Sequence, residues 1–164
     1  CSRFSAALSN TARGTMPEVK YTWYDGGKLP PADLAKGVKI NSNGNIIVGK
    51  KGTIVVLDEQ GGGWKVVMDG KTSDNKEFEI KQTLPRVPGG MGGHHNEWLT
   101  ACKGGPKSLG DLSYSGPFTE MVLIGIASFR SGKKFEWDGP NMKATNAPEA
   151  DKYIKRDYRK GWEV

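Results

Sequence analysis

The sequence predicts an α+β fold, an open and mainly antiparallel β-sheet with two or three helices packed on one face. Short β-branched and aromatic runs, separated by turns rich in glycine and aspartate, are typical of an antiparallel meander. Two later segments carry apolar residues at helical spacing. The composition agrees, because 23 glycines, 9 prolines and a hydrophobic content of 36% suit a loop-rich globule better than a helical bundle.

The predicted strands come first along the chain. Each is apolar or alternating and ends at a turn signal such as Asp25-Gly26-Gly27 or Asp69-Gly70. Ala12–Pro17 is predicted as a further turn. The strands are Arg3–Leu8, Val19–Tyr24, Asn45–Val48, Thr53–Leu57, Trp64–Met68, Phe78–Ile80 and Phe135–Trp137.

The helices follow in the second half. His94–Lys103 is predicted as a helix that places Trp98, Leu99 and Cys102 on one face before Gly104-Gly105-Pro106 ends it. Pro117–Arg130 is apolar around most of its circumference, which favours a helix buried across the sheet. Pro148–Ile154 is predicted as a short terminal helix.

Residues 1–164 are interpreted as one domain whose last part, 145–164, is a C-terminal arm. The end of the arm is basic and aromatic, and it either docks on a partner subunit or packs on its own domain.

The net charge of +6 does not indicate a nucleic-acid partner, because the basic residues are scattered among acidic ones. No apolar run approaches the length needed to span a bilayer, so no membrane partner is expected. Cys1 and Cys102 are far apart and are expected to be free thiols. The compartment stays open between cytoplasm and periplasm.

Several catalytic and cofactor motifs are missing from the sequence. It contains no Gly-x-Gly-x-x-Gly opening a helix, no P-loop and no Gly-x-Ser-x-Gly, and the run at Gly61-Gly62-Gly63 is predicted as a turn. Cysteine and histidine spacings typical of metal sites are also absent. No catalytic, cofactor-binding or metal-binding residue is therefore predicted in this chain.

Four residues are candidates for contact with a substrate. The adjacent His94 and His95 could meet a sugar hydroxyl, act as acid or base, or bind metal; capping or packing is the structural alternative. Arg86 could bind a carboxylate or phosphate, or simply pair with a surface acid. Tyr24, beside Trp23, could stack on a pyranose ring, or the pair could belong to the core.

Several stretches, taken in order along the chain, resemble the C-terminal domain of the bacterial glucose-fructose oxidoreductase/inositol dehydrogenase/MocA family. They are Ala12–Pro17 continuing into Thr22–Gly27, then Leu84–Arg86, then His94–Gly105, and finally Phe135–Asp138 through Asn146–Ala150 to Asp157–Trp162.

The resemblance implies the substrate-binding and assembly domain of an NAD- or NADP-dependent oxidoreductase acting on a sugar or cyclitol. It also implies an upstream Rossmann domain that binds the cofactor, and a homo-oligomer formed through the sheet face. The family's catalytic lysine lies in a Glu-Lys-Pro motif, which this sequence lacks. The chain alone is therefore expected to bind no cofactor and to be inactive.

Two other classes of function remain as alternatives. A non-catalytic carbohydrate-binding or interaction module would use exposed aromatic residues such as Trp23 and Tyr24 as a sugar platform. A small hydrolase built on His94 or His95 would need a nucleophile motif that the sequence does not contain.

Overall fold

The computed structural model, which describes residues 4–10, 15 and 17–162, confirms the α+β prediction. Its contacts separate two compact units, the first formed mainly by Trp23–Leu84 and the second mainly by the residues from Pro85 onward. Strands β1 (Phe4–Asn10) and β2 (Val19–Asp25) form a two-stranded sheet, so both of these predicted strands are confirmed. The predicted turn at Ala12–Pro17 lies largely outside the described residues.

The first unit contains the predicted antiparallel meander. Its strands pair in chain order, each with the next. Asp69 and Gly70 both have positive φ, of 50° and 73°, which is the geometry of the tight two-residue hairpin turn that Asp-Gly favours. The four strands are β3 (Asn45–Val48), β4 (Thr53–Val56), β5 (Trp64–Met68) and β6 (Lys71–Asp74).

The fourth strand corrects the sequence prediction. Phe78–Ile80 forms no strand, and β6 takes that place in the sheet instead. The polar composition of β6 does not indicate a strand. The two-residue turn before β6 nevertheless reverses the direction of the chain, so β6 pairs with β5. After β6 the side chain of Asp74 accepts from the Lys76 N–H, and Glu77 accepts from the Asp74 N–H, which starts a short 3-10 helix.

The two faces of the meander differ in burial. Thr53, Val55 and Val67 share one face and are buried there, and β3 and β4 contact a 3-10 helix, Ala32–Ala35, in which Ala35 is also buried. The other face carries a cross-strand row in which Ile47 pairs with Ile54 and Ile54 with Val66. Ile47 is 56% exposed, so this face presents apolar side chains to solvent.

A carboxylate holds the loop between β4 and β5. Asp58 accepts hydrogen bonds from the backbone N–H groups of Gly62 (2.9 Å) and Gly63 (2.7 Å). These two bonds lower the pKa of Asp58 below its ordinary value. The predicted turn at Gly61–Gly63 is therefore ordered by the charge of an aspartate.

This arrangement predicts a pH dependence of stability. A carboxyl whose pKa is lower in the folded state stabilises the fold above its unfolded pKa and loses that contribution as the pH falls through the folded pKa. Thermal unfolding between about pH 7 and about pH 2 should therefore show a shallower acid loss for Asp58→Asn than for the wild type. The same slope in both proteins would contradict this role for Asp58.

The second unit contains both long helices. Helix α1 (Gly93–Cys102) matches the predicted helix closely. Helix α2 (Leu112–Ser131) starts five residues before the predicted Pro117, because the Asp111 side chain caps it by accepting from the Ser113 N–H at 3.0 Å. Gly132, with φ of 67°, ends it as predicted.

Helix α2 is less buried than its composition predicts. Ala127 is its one buried residue, whereas Leu112 is 81% exposed and Leu123 is 56% exposed. It contacts a 3-10 helix, Pro148–Tyr153, which corresponds to the short terminal helix predicted over Pro148–Ile154. Within the described residues no helix is long and apolar enough to cross a membrane.

The second unit has a small core near the end of the chain. Strands β7 (Trp137–Asp138) and β8 (Lys143–Ala144) pair as a hairpin beside the 3-10 helix. Ala144, Ala147 and Ala150 are buried there, with Phe135 and Ile154 packed against them. The beginning of the predicted arm thus packs on its own unit, and Trp162 near its end is exposed.

Candidate functional site

Helix α1 begins where a glycine-rich loop folds tightly onto itself. Gly89 and Gly90 have positive φ, and a 3-10 turn at Gly90–Gly92 leads directly into Gly93. Gly93 is buried, and a Cβ atom there would lie 2.3 Å from the carbonyl oxygen of Pro88. A glycine is needed at this position because the loop backbone passes so close to the helix.

The two predicted histidines lie side by side at the start of α1. Both are exposed, and the ring centroids of His94 and His95 are 3.9 Å apart with an angle of 38° between the rings. Two exposed imidazoles can donate and accept hydrogen bonds with hydroxyl groups. The described residues contain no group of three side chains able to hold a metal ion.

Trp98 lies beside the two histidines and was not among the residues predicted from the sequence to contact a substrate. It follows His94 by four residues and His95 by three, which places it next to them on the helix. Its side chain is 60% exposed and Leu99 is 45% exposed, so the apolar face of α1 is open. The helical spacing from the histidines was the signal that could have identified Trp98. We call His94, His95 and Trp98 the α1 surface.

The other two candidate residues lie elsewhere. Arg86 is exposed in the segment without regular secondary structure that precedes the glycine-rich loop, in the same unit as the histidines. Tyr24 lies near the end of β2 and is partly buried, and its contacts assign it to the first unit. Trp23 is 38% exposed. The structure therefore brings His94 and His95 together and leaves Tyr24 in a different unit.

A groove of about 510 Å³ lies along α2 in the second unit. Its lining is mostly apolar, and the groove was not predicted from the sequence. It is lined by Leu112, Ser115, Gly116, Thr119, Glu120, Leu123, Ile124, Ile126, Ala127, Arg130, Trp137, Met142, Tyr153 and Ile154.

Two charged side chains stand in this groove. One oxygen of Glu120 accepts a hydrogen bond from the Trp137 indole nitrogen at 2.6 Å. The guanidinium of Arg130 lies 5.9 Å from the centre of the Tyr153 ring, within the range of a cation–π contact. An apolar groove with a few fixed polar groups is a common form of binding site.

Comparisons with models of protein families, with curated proteins and with solved structures found no match to this chain. The interpretation of both sites therefore depends on the residues themselves and on their geometry.

Proposed function

We propose that this chain is the substrate-binding and assembly part of an NAD- or NADP-dependent oxidoreductase that acts on a sugar or cyclitol. The observation that carries the proposal is the ordered set of motifs from Ala12 to Trp162 that resembles the glucose-fructose oxidoreductase/inositol dehydrogenase/MocA family, in a sequence without a dinucleotide-binding fingerprint. In this proposal a Rossmann domain supplies the cofactor and the hydride chemistry, and the present chain supplies contacts to the substrate.

The chemistry of the α1 surface supports a sugar-like ligand. An exposed indole offers a flat apolar face, which suits the C–H face of a sugar ring. The adjacent imidazoles of His94 and His95 offer hydrogen-bonding nitrogens for hydroxyl groups. Arg86, in the same unit, is the further candidate for an acidic substituent.

Assembly is proposed to occur through the apolar face of the meander, with a second copy of the chain as the partner. The row of Ile47, Ile54 and Val66 is continuous across three strands. Extended exposed apolar surfaces of this kind are usually covered by a partner. The polar Lys65–Asp74 ion pair, at 3.3 Å, belongs to the opposite face.

The proposal that the cofactor binds to a Rossmann domain, and not to this chain, can be tested by calorimetric titration. The chain alone should show no saturable binding of NAD⁺ or NADP⁺, because the sequence has no loop to hold the pyrophosphate. Tight binding of either nucleotide to this chain would contradict the proposal. Determining the sequence encoded upstream of Cys1 would separate it from the non-catalytic carbohydrate-binding module, which needs no Rossmann domain.

The contribution of the α1 surface to sugar binding can be tested by titrating the chain with a panel of monosaccharides and cyclitols. Binding is measured by the change in tryptophan fluorescence. For any ligand that binds, we expect Trp98→Ala to weaken binding by about tenfold or more, and His94→Ala or His95→Ala by about three- to tenfold.

Asn96→Ala is the matched control, because Asn96 is exposed on the same helix but projects away from His94. Equal loss in Asn96→Ala and His94→Ala would show that the helix as a whole, rather than its histidines, affects binding.

A further inference from the structure

The groove side of α2 carries a regular sequence pattern. Its residues Leu112, Gly116, Thr119, Leu123, Ile126 and Arg130 all line the groove and are separated alternately by four and three positions. This spacing is the a/d pattern by which one helix packs along another. Leu123 and Ile126, at the middle of the pattern, are 56% and 45% exposed. This side of α2 therefore has the residue spacing needed to pack along a second helix, and its middle is exposed to solvent.

We propose that α2 pairs antiparallel with α2 of a second copy of this chain, so that α2 of each copy lies in the groove of the other copy. Leu123 of one copy then lies opposite Ile126 of the other, around a two-fold axis. An isologous contact of this kind uses the same patch on both copies and closes after two subunits. This interface is separate from the apolar face of the meander and does not depend on the sugar-oxidoreductase proposal.

The charges in the groove select the antiparallel direction. Glu120 and Arg130 are separated by ten residues, which is about 15 Å along a helix axis. In the antiparallel pair Arg130 of each copy lies opposite Thr119 and next to Glu120 of the other, so opposite charges meet twice. A parallel pair would bring Glu120 to Glu120 and Arg130 to Arg130, and like charges in contact are unfavourable.

The existing contacts of these two side chains leave them able to pair. Glu120 gives one oxygen to the Trp137 indole, and its other oxygen accepts no hydrogen bond within the described part of the chain. Arg130 is exposed, and it contacts the Tyr153 ring. The carboxylate is held in place by an indole, which lowers the cost of ordering it for an ion pair.

Sedimentation velocity on the Ile47→Lys chain tests the proposal, since a lysine on the exposed apolar face of the meander disfavours association there. We expect a concentration-dependent dimer. Glu120→Arg or Arg130→Glu alone should weaken it about tenfold or more, and the two substitutions together should restore it. A strictly monomeric Ile47→Lys chain, or failure of the double swap to restore the dimer, would overturn the pairing.

Two further variants keep the test specific. Glu120→Gln retains an oxygen for the Trp137 indole but loses the charge, so it should weaken the dimer while the circular dichroism spectrum stays unchanged. Glu79→Arg makes the same charge reversal at an exposed residue of the first unit and should leave the dimer intact. A dimer weakened equally by Glu79→Arg would show that net charge, and not the α2 contact, controls association.

Discussion

Replacing Gly44 with alanine is expected to lower the stability of the meander by about 3 kcal/mol. Gly44 has φ of 145°, which side-chain-bearing residues rarely adopt. An added Cβ would also lie 2.2 Å from the carbonyl oxygen of Val56 at the end of β4. Backbone atoms cannot rotate away from this overlap, so β3 would have to separate from β4. Thermal unfolding should report a decrease in Tm of about 6–12 °C.

Gly62→Ala is the control for Gly44→Ala. A Cβ at Gly62 would meet its nearest neighbour, an Asp58 carboxylate oxygen, at an ordinary distance of 3.7 Å, and its φ is not positive. It should change Tm little, or raise it slightly by restricting the unfolded chain. A Tm for Gly44→Ala close to that of Gly62→Ala would mean that the chain before β3 does not pass over Val56 as described.

The strands illustrate which parts of a fold can be predicted from sequence. Val19–Asp25 and Thr53–Val56 are rich in β-branched or aromatic residues, and this local pattern is sufficient to predict them as strands. Lys71–Asp74 has no such pattern and becomes a strand because the Asp69-Gly70 turn aligns it with β5. A hairpin turn implies a second strand even when that strand is polar, so Asp69-Gly70 is the sequence signal that indicates β6.

The sites show a similar difference. The histidine pair and the loop before it are adjacent in sequence, so they could be selected from sequence as a surface. The groove joins Glu120 to Trp137, which are 17 residues apart, and also includes Tyr153. No local pattern connects these positions, and only the path of α2 and the β7–β8 hairpin brings them together. The exposure of α2 was not predicted because its apolar composition is typical of a buried helix.

Gly93→Ala is expected to have the second large effect on stability. The substitution favours the helical backbone but also introduces a steric overlap, and these two contributions have opposite signs. The Gly93 φ of −61° is helical, so alanine would favour the helix by up to about 1 kcal/mol. However, a Cβ would lie 2.3 Å from the Pro88 carbonyl oxygen and 3.1 Å from Val87 Cγ1. Overpacking against backbone costs about 1–3 kcal/mol or more, so the overlap should prevail. We expect Gly93→Ala to lower Tm by several degrees and to shift the imidazole resonances of His94 and His95.

Gly92→Ala separates the helix-favouring contribution from the steric one. Gly92 has φ of −81°, and no atom lies within 4 Å of a Cβ added there. The variant gains the conformational restriction of alanine without the overlap, so its Tm and histidine resonances should stay near those of the wild type. If Gly93→Ala were as stable as Gly92→Ala, the loop would have room to move away from α1. In that case the close contact at Pro88 would not be what fixes His94 and His95 beside each other, and the α1 surface would be positioned by the helix alone.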